Sequence, residues 1–187
     1  MNVMARFPGD DAAPTAPRRI AIISDAWKPQ MNGVVRTLEA TIERLRARGH
    51  RVLVISPDLF ASVPCPTYPK IRLAMPLPGA VAKRLAAFVP DAIHIATEGP
   101  LGLAARRWCI AQKIAFTTAY HTQFPAYVSR RTSLPESLLW RYVRWFHGPA
   151  ERIMVATHSV REELREQGLR NLHHWSRGVD LACFTPG

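Results

Sequence analysis

A chain of 187 residues that is 48% hydrophobic and 21% charged can bury a core of its own, which excludes a wholly disordered or fibrous protein. The formal net charge of +11 comes mostly from arginine and is spread along the whole length, with no basic tail. It suits anionic partners (phosphates, nucleotides, an acidic membrane, nucleic acid) without choosing among them, and a plain bias of composition would produce the same balance.

Residues 1–18 carry Pro, Gly, Asp and Ala with no apolar stretch of a signal peptide, and read as a disordered leader. The Val/Ile runs 19–24 (RIAIIS) and 51–56 (RVLVIS) read as strands covered on both faces. Between them, 33–48 sets Val34, Leu38, Ile42 and Leu45 on one helical stripe, and Gly49 supplies the stop. The Pro-rich stretch 57–78 reads as a long irregular connection with room for one short strand. Helices are predicted at 80–88, 101–112, 136–147 and 159–167, and strands at 92–96, 114–119, 152–156 and 172–175. This alternation predicts an α/β fold, a single Rossmann-like doubly wound parallel sheet over 19–175. Ligands then belong at the carboxyl ends of the strands, where strand order reverses. No run is long enough to cross a membrane as a helix. Cys65, Cys109 and Cys183 are odd in number and far apart, without zinc or disulfide spacing, which suits a reducing compartment.

The polar residues of interest fall in the loops after the strands. In SDAWKPQMNGVVRTL, Asn32 is placed to cap the following helix, and the N–H groups of Gly33, Val34 and Val35 lie at its positive end. A tight turn with a cap explains Asn-Gly equally well. Trp27 in the same loop offers an apolar face to a sugar ring or a lipid. In TEGP, Glu98 can accept from substrate hydroxyls or help to cap the helix that follows. His94, alternating with isoleucines, reads as a satisfied core histidine. His121, directly after a strand in YHTQFP, can donate to a hydroxyl or carry a proton, or serve only as a structural hydrogen-bonder. Across LPESLLWRYVRWFHGP the reading puts Leu138, Tyr142, Trp145 and Phe146 on one face and Arg141 and Arg144 on another. Such a helix lies on an anionic membrane or packs in a core with an arginine rim. Dinucleotide, P-loop, nucleophile-elbow, zinc-protease and DxD motifs are all missing, and so are RNA-binding signatures, so nucleic acid is not an expected partner.

Taken together, SDAWKPQMNGVVRTL, HIATEGPLGLAARRWC, TTAYHTQFPAYV, WRYVRWFH and WSRGVDLACFTPG resemble, in order, the N-terminal domain of retaining GT-B glycosyltransferases of the family-4 type. The likeness is strongest to GDP-mannose-dependent α-mannosyltransferases and related glycolipid synthases, and covers the chain from Arg19 onward. The resemblance implies two Rossmann-like domains across a cleft, the N-terminal one binding mainly the acceptor and the other the nucleotide sugar. It implies that Gly33, flanked by Asn32, lies against the donor diphosphate, and that His121 contacts the donor sugar near the reacting centre as the catalytic residue. Glu98 would contact acceptor or sugar, and 176–187 would begin the connection to the second domain.

That second domain would carry the basic pair that neutralises the diphosphate, and none of it lies in this chain. The expectation is therefore half of a hexosyltransferase, truncated or a fragment and inactive alone. The intact enzyme would transfer mannose from GDP-mannose to a lipid or glycan without a metal or cofactor. Cytoplasmic location, with peripheral attachment to the inner face of the membrane, goes with this. The rival expectation is a non-enzymatic Rossmann-like module that binds anionic lipid or a partner protein.

Overall fold

The computed structural model describes residues 16–30, 32–65, 68–121, 125, 129, 132 and 134–175, with the side chains of 65 and 68–72 excepted. Residues 1–15 of the expected leader, 176–187 of the expected connection and Thr122, Gln123 and Phe124 of the fourth loop lie outside the described residues.

Six parallel strands form the main sheet: β1 (Arg19–Ile23), β2 (Arg51–Ile55), β5 (Ala92–Ile95), β6 (Thr117–Tyr120), β7 (Arg152–Val155) and β8 (Leu172–His174), in the order β2-β1-β5-β6-β7-β8. Among the described residues five helices connect them: α1 (Gly33–Ala47), α2 (Ala80–Phe88), α3 (Pro100–Gln112), α4 (Glu136–His147) and α5 (His158–Glu166). The chain steps once to the left, from β1 to β2, and every later strand is laid to the right of β1. Right-handed crossovers then put α1 on one face and the other helices on the opposite face. The core divides accordingly. Ile22 and Ala96 pack with Leu38 and Ile42 of α1. Ala21, Ile23, Ile93, Ile95, Ile153 and Val155 point the other way, into a larger cluster with α2, α3, α4 and α5. Alternate residues of one strand serve two layers, so the strands read as continuous apolar runs.

Three expectations are corrected. The stretch 57–78 is more ordered than its prolines suggest: a 3-10 turn at Pro57–Leu59 leads into an antiparallel hairpin of β3 (Ser62–Cys65) and β4 (Tyr68–Ala74). The fourth strand of the main sheet in chain order begins at Thr117 rather than 114. Lys113 turns left-handed (φ 55°) to end α3, and the Ile114 N–H closes that end on the Cys109 carbonyl. On α4 the buried face is Leu139, Trp140, Val143, Phe146 and His147, so Leu138 and Trp145 stand in solvent beside Arg141 and Arg144.

Candidate functional site

Strand order reverses between β1 and β5, and the loops that follow these two strands are bound to each other by one carboxylate. Asp25, two residues beyond β1, is buried. Its backbone N–H donates to Thr97 Oγ1 (2.6 Å), and that hydroxyl donates back to Asp25 Oδ2 (2.9 Å). The Leu101 and Gly102 N–H groups donate to its two carboxylate oxygens at 2.8 and 3.2 Å. Asp25 thus caps α3 from outside, where Gly99 at the N-cap position has no side chain to offer. Burial pushes the Asp25 carboxyl above its usual value; the N–H and hydroxyl donors work against this, and the Glu98 charge adds to it. Both glycines of TEGPLG follow from the packing: a Cβ on Gly102 would strike the Thr97 carbonyl oxygen, and one on Gly99 would strike the Asp25 carboxylate.

Glu98 sits inside this lock. Its side chain is 11% exposed, and Oε1 lies 3.2 Å from Nε2 of the fully buried His147 at the end of α4. The other ring nitrogen, Nδ1, lies 2.8 Å from Thr118 Oγ1 on β6. The Tyr142 hydroxyl, one turn earlier on α4, donates to the Glu98 backbone carbonyl (2.5 Å), and burial raises its pKa. The helix-capping alternative for Glu98 does not hold, because Asp25 takes that place.

His121 follows β6 directly, on the face opposite Glu98's partners, with its Nε2 shut from solvent. Its ring is tilted against the Trp175 indole, centroids 5.8 Å apart, and His94 meets the same indole edge-on at 5.8 Å. The Trp175 backbone N–H donates to the Val155 carbonyl, which ties this residue to the end of β7. His94 is only half satisfied: Nδ1 is 2.8 Å from Thr117 Oγ1, while Nε2 is buried without a partner among the described residues, and burial lowers its pKa to about 4.

In the first loop Asn32 does cap α1, with Oδ1 accepting from both Val34 and Val35 N–H at 3.0 Å. Of the three donors expected for an anion, two are therefore taken, and the Gly33 N–H is the one without a partner among the described residues. Trp27 is half-buried against the α1 cluster. What joins these residues is the carboxyl edge of the sheet: Trp27, Asn32 and Gly33 follow β1, Glu98 follows β5 and His121 follows β6. Sequence reasoning missed Asp25, His147 and Trp175, each of which acts on a residue far away in the chain. Among the described residues no three His, Cys, Asp or Glu side chains form a metal-binding group, and no helix is long and apolar enough to cross a membrane.

Residues 31–182 match Glycosyltransferase Family 4. Over 91% of its length the chain is 29% identical to a GDP-mannose-dependent alpha-mannosyltransferase of Corynebacterium glutamicum, covering 46% of that protein. A protein of the same name from Mycobacterium tuberculosis is 28% identical over 90% of the chain, with 49% of its own length covered. A sulfoquinovosyl transferase of Arabidopsis thaliana is 27% identical over 95% of the chain and is covered for 38% of its length. The chain spans about half the length of the mannosyltransferases it matches.

Proposed function

The chain belongs to glycosyltransferase family 4, and from that premise we propose that it is the acceptor-side half of a retaining hexosyltransferase. The donor would be a nucleotide sugar, GDP-mannose first, as the names of the mannosyltransferase relatives suggest. The acceptor would be a lipid or glycan hydroxyl. His121 meets the donor sugar, Asn32 and Gly33 meet its diphosphate, and Glu98 and Trp27 serve the acceptor or sugar. The observation that carries this reading is the lock between the loops after β1 and β5: Asp25 fixes the Glu98 loop at the reversal of strand order, where ligands of open α/β sheets bind.

Neutralising the leaving diphosphate falls to a donor-binding half, without which transfer would be slower by at least ~100-fold, the scale of one electrostatic contact in a transition state. The test is transfer of radiolabelled mannose from GDP-mannose to a glycolipid acceptor, by this chain alone and with the donor-binding half of the Corynebacterium relative added. The expected result is under ~1% of the combined rate for the chain alone. Full transfer by the chain alone overturns the half-enzyme reading, and none in either arm counts against glycosyl transfer.

A second reading has its own observation. The outer face of α4 exposes Leu138 (51%) and Trp145 (53%) beside Arg141 and Arg144. This face suits an anionic membrane, apolar groups entering while the guanidinium groups meet head groups. Co-sedimentation with anionic but not neutral vesicles, lost in Leu138→Ser/Trp145→Ser, supports attachment. If His121→Ala also leaves every sugar-dependent measurement unchanged, the non-enzymatic module is favoured.

A further inference from the structure

We propose that His147 is a positioning residue for Glu98: fixed as the Nε2–H tautomer by the Thr118 hydroxyl, it holds Glu98 Oε1 and leaves Oε2 to accept a hydroxyl of a bound sugar. This deepens the reading of Glu98 as a sugar-contacting carboxylate and rests on it.

The direction of each hydrogen bond follows from its partner. An ionised carboxylate only accepts, so the 3.2 Å contact to Glu98 Oε1 is donated by His147 Nε2–H. The Thr118 hydroxyl is fully buried, and its only partner among the described residues is His147 Nδ1 at 2.8 Å. Its hydrogen is satisfied if it donates to Nδ1, which then carries the lone pair. With Thr118 as the donor at Nδ1, the two bonds together specify the Nε2–H tautomer.

The ring itself has no freedom. It is 0% exposed, with Tyr120 set T-shaped against it at 6.1 Å and Phe146 at 5.0 Å. A histidine held in this way fixes the rotamer of the carboxylate it touches, as an outer partner fixes a ligand in other sites. Tyr142 fixes the backbone of the same glutamate through its carbonyl. Two α4 side chains, little more than one turn apart, therefore act on a single loop residue.

Stability alone does not account for the arrangement. The α3 donors are already met by Asp25, so Glu98 has no capping duty. One of its oxygens is bound and the other has no partner among the described residues, in a side chain with 11% exposure. A carboxylate oxygen left open at the carboxyl edge of the sheet is completed by a ligand hydroxyl at low cost, because no rotamer has to be ordered on binding.

The test uses the whole chain labelled with 15N at histidine, and methyl α-D-mannopyranoside as the probe. Long-range proton–nitrogen spectra are expected to show one imidazole locked as Nε2–H, lost in His147→Gln and perturbed in Glu98→Ala. By saturation transfer, His147→Leu is expected to weaken probe binding about tenfold, the scale of one well-placed hydrogen bond, and no further when combined with Glu98→Ala. His147→Gln, whose amide nitrogen takes the place of Nε2, restores most of it. Thr118→Val, which removes only the hydroxyl bonded to His147 Nδ1, weakens binding as well and covers the case in which His147→Leu does not fold. A His147 locked as Nδ1–H, or a folded His147→Leu with wild-type affinity, overturns the proposal. A wild-type chain that binds no sugar defeats the reading of Glu98 instead, while the tautomer still decides the pairing.

Discussion

A Cβ placed on Gly99 would stand 2.7 Å from both carboxylate oxygens of Asp25, so the carboxylate occupies the space that a side chain at the α3 N-cap would need. Gly99→Ala must displace Asp25 and leave buried N–H groups of Leu101 and Gly102 without an acceptor. The expected loss is about 1–3 kcal/mol of unfolding free energy in a urea titration. Asp25→Ala should cost a similar amount. The double variant should cost clearly less than the sum, since the methyl group added at position 99 then enters vacated space. Additive losses would show that the two positions do not compete.

The same carboxylate gives a pH signature. Burial raises the folded Asp25 carboxyl above its usual value, while the unfolded one releases its proton near pH ~4. Between those two values the fold holds more protons than the unfolded chain, so this group's contribution is full at low pH and falls as pH rises. Asp25→Asn does not titrate. Its stability deficit relative to wild type should therefore shrink as pH is raised from below ~4 toward neutrality. A constant deficit across that range would contradict the raised value.

His94 has the opposite sign. Burial lowers its pKa to about 4, so below the ordinary histidine value the unfolded chain takes up a proton that the fold refuses. Stability present at neutral pH is lost as pH falls, by up to ~3 kcal/mol near pH ~4 for this one group. His94→Asn keeps a donor to Thr117 Oγ1 and removes the titration. Its stability should therefore fall less steeply with acid than that of wild type. Parallel acid slopes would count against the lowered value.

These two groups also show where the sequence was legible. The Val/Ile runs and the Asn32 cap depend on neighbours within a few residues, and local pattern reported them correctly. The α3 cap could not be read locally, since its acceptor lies at Asp25, in another loop. His147 read as the end of an aromatic and basic helix; only the fold brings it to Glu98 and Thr118. On α4, residues 138, 139, 142, 143, 145 and 146 are all apolar or aromatic, so periodicity alone did not decide which stripe is buried. Arg106 decides part of it, by closing the end of α4 from the side of α3.

That arginine is 7% exposed; its Nε donates to the Phe146 carbonyl at 2.9 Å and a terminal nitrogen donates to the Trp145 carbonyl at 2.5 Å. Its guanidinium also lies 4.0 Å from the centre of the Trp145 ring. Lysine carries the same charge but cannot reach both carbonyls while stacking on the indole. Arg106→Lys should thus cost about 2–3 kcal/mol, nearly as much as Arg106→Met, which leaves the same carbonyls unmet. A redshift of tryptophan emission should accompany both, as Trp145 loses its inner cover. A Lys variant of wild-type stability would place the contribution in charge alone.

Asn32 allows capping and ligand contact to be separated. Oδ1 accepts from Val34 and Val35, so an anion approaching the start of α1 meets the Gly33 N–H and the Asn32 amide NH2. Asn32→Asp keeps an acceptor for both helix N–H groups, and its negative charge at the helix N-terminus is favourable, so the melting temperature should hold or rise. The same change turns the outward amide into a carboxylate that repels a diphosphate. If Asn32 and Gly33 meet the donor diphosphate, affinity for GDP, measured by calorimetry on the chain joined with a donor-binding half, should fall by at least ~10-fold, the equivalent of ~1.4 kcal/mol. Asn32→Ala should do the reverse: about 1 kcal/mol less stable, with two helix donors released toward the anion and GDP affinity largely kept. Unchanged affinity in Asn32→Asp would leave this residue as a cap and nothing more, and would move the diphosphate away from the α1 terminus.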